Sequence, residues 1–260
     1  MPLGRNELRH HIVRDRSDEY SRAMRQSSAS STPIGARLGA VAGLLIAVAP
    51  AMYLLHAMDV PRRIIIGFGV LCWVAGVLVK WVVYQLVIVK YLHARWPAAG
   101  LAITQGMLSA TTELGAAVGF FLMLPHLTLV QAVGIGAGAA FVEGILAATV
   151  RPSHGTPYGE HVSEQVKTSS VSTLVFLNIS DRLVATVVQV CSRTLVFLSV
   201  HSGNPLPGLL AFATFASIDG YAYYALIQQW KFSRIATAAR LYGVLAGFAT
   251  IQALTLFAFI

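Results

Sequence analysis

The sequence predicts an all-α fold, a polytopic membrane bundle of about seven transmembrane helices. Two observations lead there. Hydrophobic residues fill 56% of the 260 positions and charged residues only 12%, for a mean hydropathy of +0.66; a soluble chain of this length has no interior able to bury so much apolar surface. The apolar residues also fall in continuous runs, each near the roughly 20 residues that a helix needs to cross about 30 Å of hydrocarbon. Only helices and closed barrels satisfy their backbone in lipid, and unbroken apolar runs exclude alternating barrel strands.

In chain order, residues 1–34 read as a cytoplasmic basic and polar tail, disordered, with Glu7–Met24 the stretch suited to a surface-lying helix. No apolar segment follows its charges closely enough for a cleavable signal. Residues 35–260 read as the seven-helix transmembrane domain, with spans at Ala36–His56, Ile64–Val89, Ala98–Leu124, Leu127–Ala148, Ser180–Val200, Leu206–Trp230 and Leu241–Ile260. Val171–Asn178 is apolar but too short to cross, so it lies at the interface or extends the fifth helix.

The cations outside these spans orient the bundle. Fifteen lie on the side of the amino terminus, and only Arg62 and Arg63 on the other. The positive-inside rule then puts the amino terminus in the cytoplasm and the carboxyl terminus outside a cell membrane. The formal charge of +8 follows from the same bias and favours anionic lipid. Nucleic acid is excluded as a partner, because the basic residues are scattered among loops without a groove of stacking aromatics.

Small residues are expected to bring helix backbones together: Gly39 with Gly43, Gly115 with Gly119, and Gly134, Gly136, Gly138 and Gly144. The run GIGAGAAF lies within a span with no preceding strand, which argues against a nucleotide loop. Cys72 and Cys191 also fall inside spans, as small apolar residues.

Five ionised side chains inside apolar runs locate the functional interior: Lys80, Glu113, Glu143, Arg193 and Asp219. A charge at mid-membrane costs roughly 2.5–3.5 kcal/mol on insertion scales, so such residues pair or line a polar cavity. At a rise of about 1.5 Å per residue, all but Glu143 lie near the midplane. Glu113 can pair with Arg193 and Asp219 with Lys80, or the reverse. Either choice leaves Glu143 over, within reach of Asp181 and Arg182 at the interface. Buried pairs stabilise poorly against apolar packing, so five such ions exceed what helix register needs and favour a charged cavity.

The segments PRRIIIGFGVLCWVAGVLVKWVVYQ (61–85), GMLSATTELGAAVGF (106–120), VGIGAGAAFVEGI (133–145) and SDRLVATVVQVCSRTLVF (180–197) resemble the YhfC/PrsW-type intramembrane proteases. These are grouped with the CAAX-prenyl protease and bacteriocin-processing proteins in a glutamate-dependent superfamily, which is thought to include the membrane scaffold subunit of gamma-secretase. The likeness runs from about Leu38 to Trp230. It implies a catalytic set of Glu113, Glu143, Asp219 and Gln189, with Asp181 and Arg182 at the family's Glu-Arg step; the buried charges themselves add Lys80 and Arg193 to Asp181 and Arg182 as cavity ion pairs. The match departs from the family at defining positions. Thr112 precedes Glu113 where a Glu-Glu pair is expected, Ala116 or Ala117 takes the following Arg position, and Ala137, Gln189 and Phe215 stand at histidine positions.

These departures bear on chemistry. Activating water with a carboxylate needs a second group to orient it or hold a metal, normally an imidazole. All eight histidines lie in the tail, in loops or at span ends: His10, His11, His56, His93, His126, His154, His161 and His201. Histidine placement therefore supports no metal ion, and no cofactor is expected. His161 and Glu164, in the loop Arg151–Ser170, have metal-ligand spacing, but such a loop reads better as merely solvated. Ser109, Thr111 and Thr112 lack a histidine base and are expected to hydrogen-bond to the preceding turn or a neighbouring helix. Tyr221, Tyr223 and Tyr224, after Asp219, either gate the cavity or pack, with packing the favoured expectation.

The resulting reading is an integral membrane protein acting as a binding or scaffold protein with degenerate catalytic motifs. Its partners are the lipid bilayer and a transmembrane peptide or membrane protein. An active intramembrane peptidase and a small proton-coupled transporter are the alternatives; the first three spans do not resemble the last three, against the inverted repeats common in transporters.

Overall fold

The computed structural model describes residues 34–57, 60–92, 95–149 and 164–260. The tail, with its expected helix and disorder, lies outside the described residues, as do most of the loop after the fourth span and the histidines at 10, 11, 93, 154 and 161. Residues 34–260 form one unit. Its elements are α1 (Ile34–Ala57), α2 (Val60–Val83), a π-helical segment continuing α2 (Tyr84–Leu92), α3 (Ala98–Met123), α4 (Leu129–Thr149), α5 (Val171–Ser202), α6 (Leu206–Ile227) and α7 (Ile235–Phe259). Among the described residues there is no strand. Within the described residues seven helices are long and apolar enough to cross a bilayer, so the chain is an integral, multi-pass membrane protein. Large apolar side chains such as Leu78, Trp81, Leu86, Leu254 and Phe257 stand exposed, as expected where lipid is the solvent.

Local chemistry sets the ends. Pro97 precedes α3, and Pro205 and Pro207 sit where α6 begins and backbone donors have no helical acceptor. Gly203 closes α5 at φ 69°, a left-handed position that favours glycine. Ser170 caps α5 by accepting from the Thr173 N–H at 3.1 Å, a bond typically worth about 1 kcal/mol. Val171–Asn178 therefore belongs to α5, which runs for 32 residues. The last span begins at Ile235 rather than Leu241, because the Arg234 carbonyl already accepts from Ala238 at 3.1 Å.

Residue pairing gives the helix directions. Gly35, Gly39 and Gly43 meet Val171, Leu174 and Arg182 in ascending order, so α1 and α5 run parallel. Gly136 opposes Val190 while Glu143 opposes Arg182, so α4 and α5 are antiparallel. Gly106 opposes Ala216 and Ala102 opposes Gly220, so α3 and α6 are antiparallel. We call the face on which α1 begins the near face; α2, α4 and α6 end there.

α5 is the central post, packed against α1, α3, α4, α6 and α7. α2 lies across α3 and α4, and α3 also carries α6. Some of these approaches admit no side chain: a methyl group at Gly106 would overlap the Ala216 carbonyl, and one at Gly136 would sit 2.6 Å from the Val190 Cα. Gly39, Gly43, Gly136, Gly138 and Gly144 serve as the sequence predicts. Gly115 and Gly119 do not. A methyl at either meets nothing within 4 Å, because α3 buries the face of Ser109, Ala110, Glu113 and Ala117 and turns these two glycines outward.

Candidate functional site

α3 sets the floor of the charged interior. Ser109 and Glu113, four residues apart, share a helix face, and both are almost wholly buried, at 0% and 2% exposure. α2 brings Lys80 over them. Its ammonium donates to Glu113 Oε1 at 2.6 Å and to Ser109 Oγ at 3.0 Å. Asp219 arrives from α6, its carboxylate accepting from the Ser109 hydroxyl and lying 3.9 Å from the Lys80 ammonium. Serine carries one proton, so Asp219 takes it while Glu113 Oε1, 3.2 Å from the same oxygen, is held through Lys80.

α5 supplies the rest. The Arg193 guanidinium, fully buried, places Nη2 3.7 Å from Glu113 Oε2. This is ion-pair range but too long for a hydrogen bond. Nη1 donates to the side-chain oxygen of Gln189 one turn earlier, and the Gln189 amide nitrogen donates in turn to Glu143 Oε2 on α4. Arg182 binds the other Glu143 oxygen at 3.3 Å and donates through Nε to Asp181 at 2.9 Å. Tyr242 of α7 reaches Asp181 at 3.4 Å. A single run of side chains thus joins Asp219 to Asp181 through Ser109, Lys80, Glu113, Arg193, Gln189, Glu143 and Arg182. Three acids (Glu113, Glu143, Asp219) balance three cations (Lys80, Arg182, Arg193) inside it, and Asp181 stands at the rim.

Both pairs of the first scheme read from the sequence are present, Glu113 with Arg193 and Asp219 with Lys80, and Lys80 with Glu113 from the second joins them as the closest contact of the three. Lys80 engages Glu113 and Asp219 together, and Arg193 engages Glu113 as well, because α2 and α5 approach α3 from different directions. Glu143 is reached by Arg182, as its position in the sequence allows, and Gln189 binds its other oxygen. Glu113 and Asp219 are brought onto one hydroxyl, while Glu143 joins them only through Gln189 and Arg193.

The hydroxyls divide. Thr112 donates to the Leu108 carbonyl at 2.9 Å as expected of a serine or threonine in a span, whereas Ser109 bonds across to α2 and α6. Two tyrosines extend the site. Tyr84 and Tyr223 lie one turn beyond Lys80 and Asp219 toward the near face, hydroxyl oxygens 3.0 Å apart and rings edge to face at 6.3 Å. Tyr221 packs on Trp230 instead. Tyr84 was legible only as the residue four after Lys80. Gln105, one turn before Ser109, carries a buried Oε1 without a hydrogen-bond partner, as do Glu113 Oε2 and Arg193 Nε and Nη2.

The described histidines stay far from this interior in sequence: His56, His126 and His201 sit at or beyond helix ends, the last stacked on Phe197. Among the described residues, no three His, Cys, Asp or Glu side chains converge as metal ligands. Cys72 and Cys191 are buried free thiols. No protein-family model, curated protein or solved structure matches the chain.

Proposed function

We propose that this chain is a non-catalytic membrane binding or scaffold protein, a degenerate relative of the YhfC/PrsW-type intramembrane proteases. The observation that carries this reading is Gln189. Where the family resemblance expects an imidazole, this chain has a neutral amide whose two ends are committed to Glu143 and Arg193. An amide cannot serve as a general acid or base near neutral pH, as an imidazole does. Glu113 and Glu143 are likewise bound to cations of the same chain, an arrangement that suits holding helices and a guest in register. Hydrolysis would need a carboxylate free to activate water.

One observation favours active proteolysis as the second reading. Glu113 and Asp219 meet at the Ser109 hydroxyl, and two adjacent carboxylates can divide acid and base roles between them. The two readings separate on Glu113→Gln. If the chain is a peptidase, purified protein in vesicles cleaves a transmembrane peptide and the variant does not. If it is a scaffold, neither cleaves, and complexes recovered by crosslinking survive the substitution largely intact.

The loop charges support placing the near face in the cytoplasm of a cell membrane, with the carboxyl terminus outside. A reporter fused after Ile260 that is active only on the cytoplasmic side is expected to stay silent; activity there would reverse the topology.

A further inference from the structure

α2 and α6 both pack on α3 but share no extended interface of their own among the described residues. Two rungs cross the seam between them: Lys80 with Asp219, and one turn nearer the near face, Tyr84 with Tyr223. The charges at the seam are unequal. Lys80 lies 2.6 Å from Glu113 but 3.9 Å from Asp219. The Asp219 side chain remains 34% exposed, against 3% for Glu113. Glu113 draws on both Lys80 and Arg193, whereas Asp219 shares the more distant Lys80, so the acid with capacity to spare is Asp219, and it is the accessible one. Aromatic rings beside an open carboxylate are the surroundings that favour an organic ammonium ion, through Coulomb attraction and the negative ring faces.

Position adds the rest. Asp219 lies eight residues before the end of α6, about 12 Å from the near face, and Tyr223 about 6 Å. The tyrosine rung therefore lies between the near face and the Asp219 carboxylate. The α2 residues flanking Lys80 are lipid-exposed: Val79 54%, Trp81 61%, Val82 45%. At the tyrosine rung itself the backbone changes from α to π, at Tyr84, and stays so to Leu92; π segments concentrate at functional positions. Behind the rungs, Gln105 and Glu113 lie along the α3 face that bears Ser109, each with a buried oxygen awaiting a donor.

We infer that the α2–α6 seam is a lateral binding site for the ammonium group of a single-chain or lipid-like amphiphile, which enters from the bilayer past the Tyr84–Tyr223 rung and is held by Asp219. This rests on the reading of the chain as a binding protein and names what it binds. The ammonium replaces Lys80 as the nearer cation of Asp219, and the apolar tail lies along Val79, Val82 and Leu86.

The test uses the full chain in nonionic detergent and two probes of equal chain length, N,N-dimethyldodecylamine, a tertiary amine that is protonated at neutral pH and forms no amide with an activated carboxyl group, and dodecanol. Dicyclohexylcarbodiimide, a hydrophobic reagent for carboxyl groups, reports access to Asp219 by peptide mass. At about ten times its dissociation constant the amine is expected to slow modification of Asp219 roughly tenfold, and dodecanol to leave it unchanged. The Tyr84→Phe/Tyr223→Phe pair, which keeps both rings and removes the hydroxyl bridge, is expected to raise the unprotected rate. The radiolabelled amine should bind saturably, and Asp219→Asn should weaken it by roughly tenfold or more, the least that one charge-assisted hydrogen bond supplies. Equal protection by alcohol and amine overturns the inference. So does an Asp219 that stays unreactive in both the wild type and the phenylalanine pair. The protection arm needs only wild-type protein and decides the matter even if Asp219→Asn does not fold. A Glu113-dependent peptidase would refute the scaffold reading whatever the amine does, and an amine that fails to bind leaves that reading standing.

Discussion

Replacing Arg193 by methionine tests whether the interior ions are coupled. The guanidinium is fully buried and lies 3.7 Å from Glu113 Oε2. At an effective dielectric of about 20 the gross attraction over that distance is about 4.5 kcal/mol. Losing the desolvated guanidinium returns part of this, while Gln189 loses a donor and the network changes from three acids and three cations to a net charge of −1. Breaking a buried pair by deleting one partner costs about 3–5 kcal/mol in well-studied cases, and that is the expected loss for Arg193→Met. The companion variant Arg193→Met/Glu113→Gln also removes the acid left with Lys80 alone, so it should be more stable than the single arginine variant by about 2 kcal/mol; Glu113→Gln alone completes the cycle, and the coupling should exceed the few tenths seen for independent sites. Unfolding by sodium dodecyl sulfate titration, followed by the fluorescence of the four tryptophans, measures both. Two losses that simply add, or an arginine variant within about 1 kcal/mol of wild type, would refute the coupled network.

Other substitutions probe separate parts of the molecule. Gly106→Ala must push α3 off the Ala216 carbonyl and should cost about 1–3 kcal/mol, whereas Gly115→Ala, with open space around it, should be neutral or stabilising by about 0.5–1 kcal/mol; the same titration reads both. Ser170→Ala removes the α5 cap and should cost about 1 kcal/mol, with faster amide exchange confined to the first turn of that helix. Gln189→His replaces the amide joining Glu143 to Arg193; a loss of about 1–3 kcal/mol without any gain of peptide cleavage is expected, and appearance of cleavage would favour the proteolytic reading.

The seven spans were legible because lipid makes one demand everywhere: enough consecutive apolar residues to cover the hydrocarbon. Where a boundary was set by a backbone acceptor or a cap, hydropathy missed it. Arg240 made the last span look late, yet the helix begins at Ile235, and Arg240 lies 5.2 Å from the centre of the Trp230 ring. The π segment after Val83 left no mark in composition. Small residues were visible as such, but Gly115 and Gly119 look no different in sequence from Gly136 and Gly138, since only the packing of α3 turns the first pair outward.

The candidate site divides along the same line. That Lys80, Glu113, Glu143, Arg193 and Asp219 would seek one another followed from the cost of a lone charge in lipid, a property of each residue with its run of apolar neighbours. Who meets whom did not. Pairing depends on rotations of five helices about their axes, and these are set by close contacts such as Gly76 on Glu113 and Gly106 on Ala216. The sequence by itself determined a helical membrane bundle with an ionised interior. Tertiary packing alone decided that Ser109 would join Asp219 to Lys80 and Glu113, that Gln189 would bridge Glu143 to Arg193, and that Tyr84 would meet Tyr223, because contacts a few ångströms long depend on helix rotation and depth, which hydropathy does not encode.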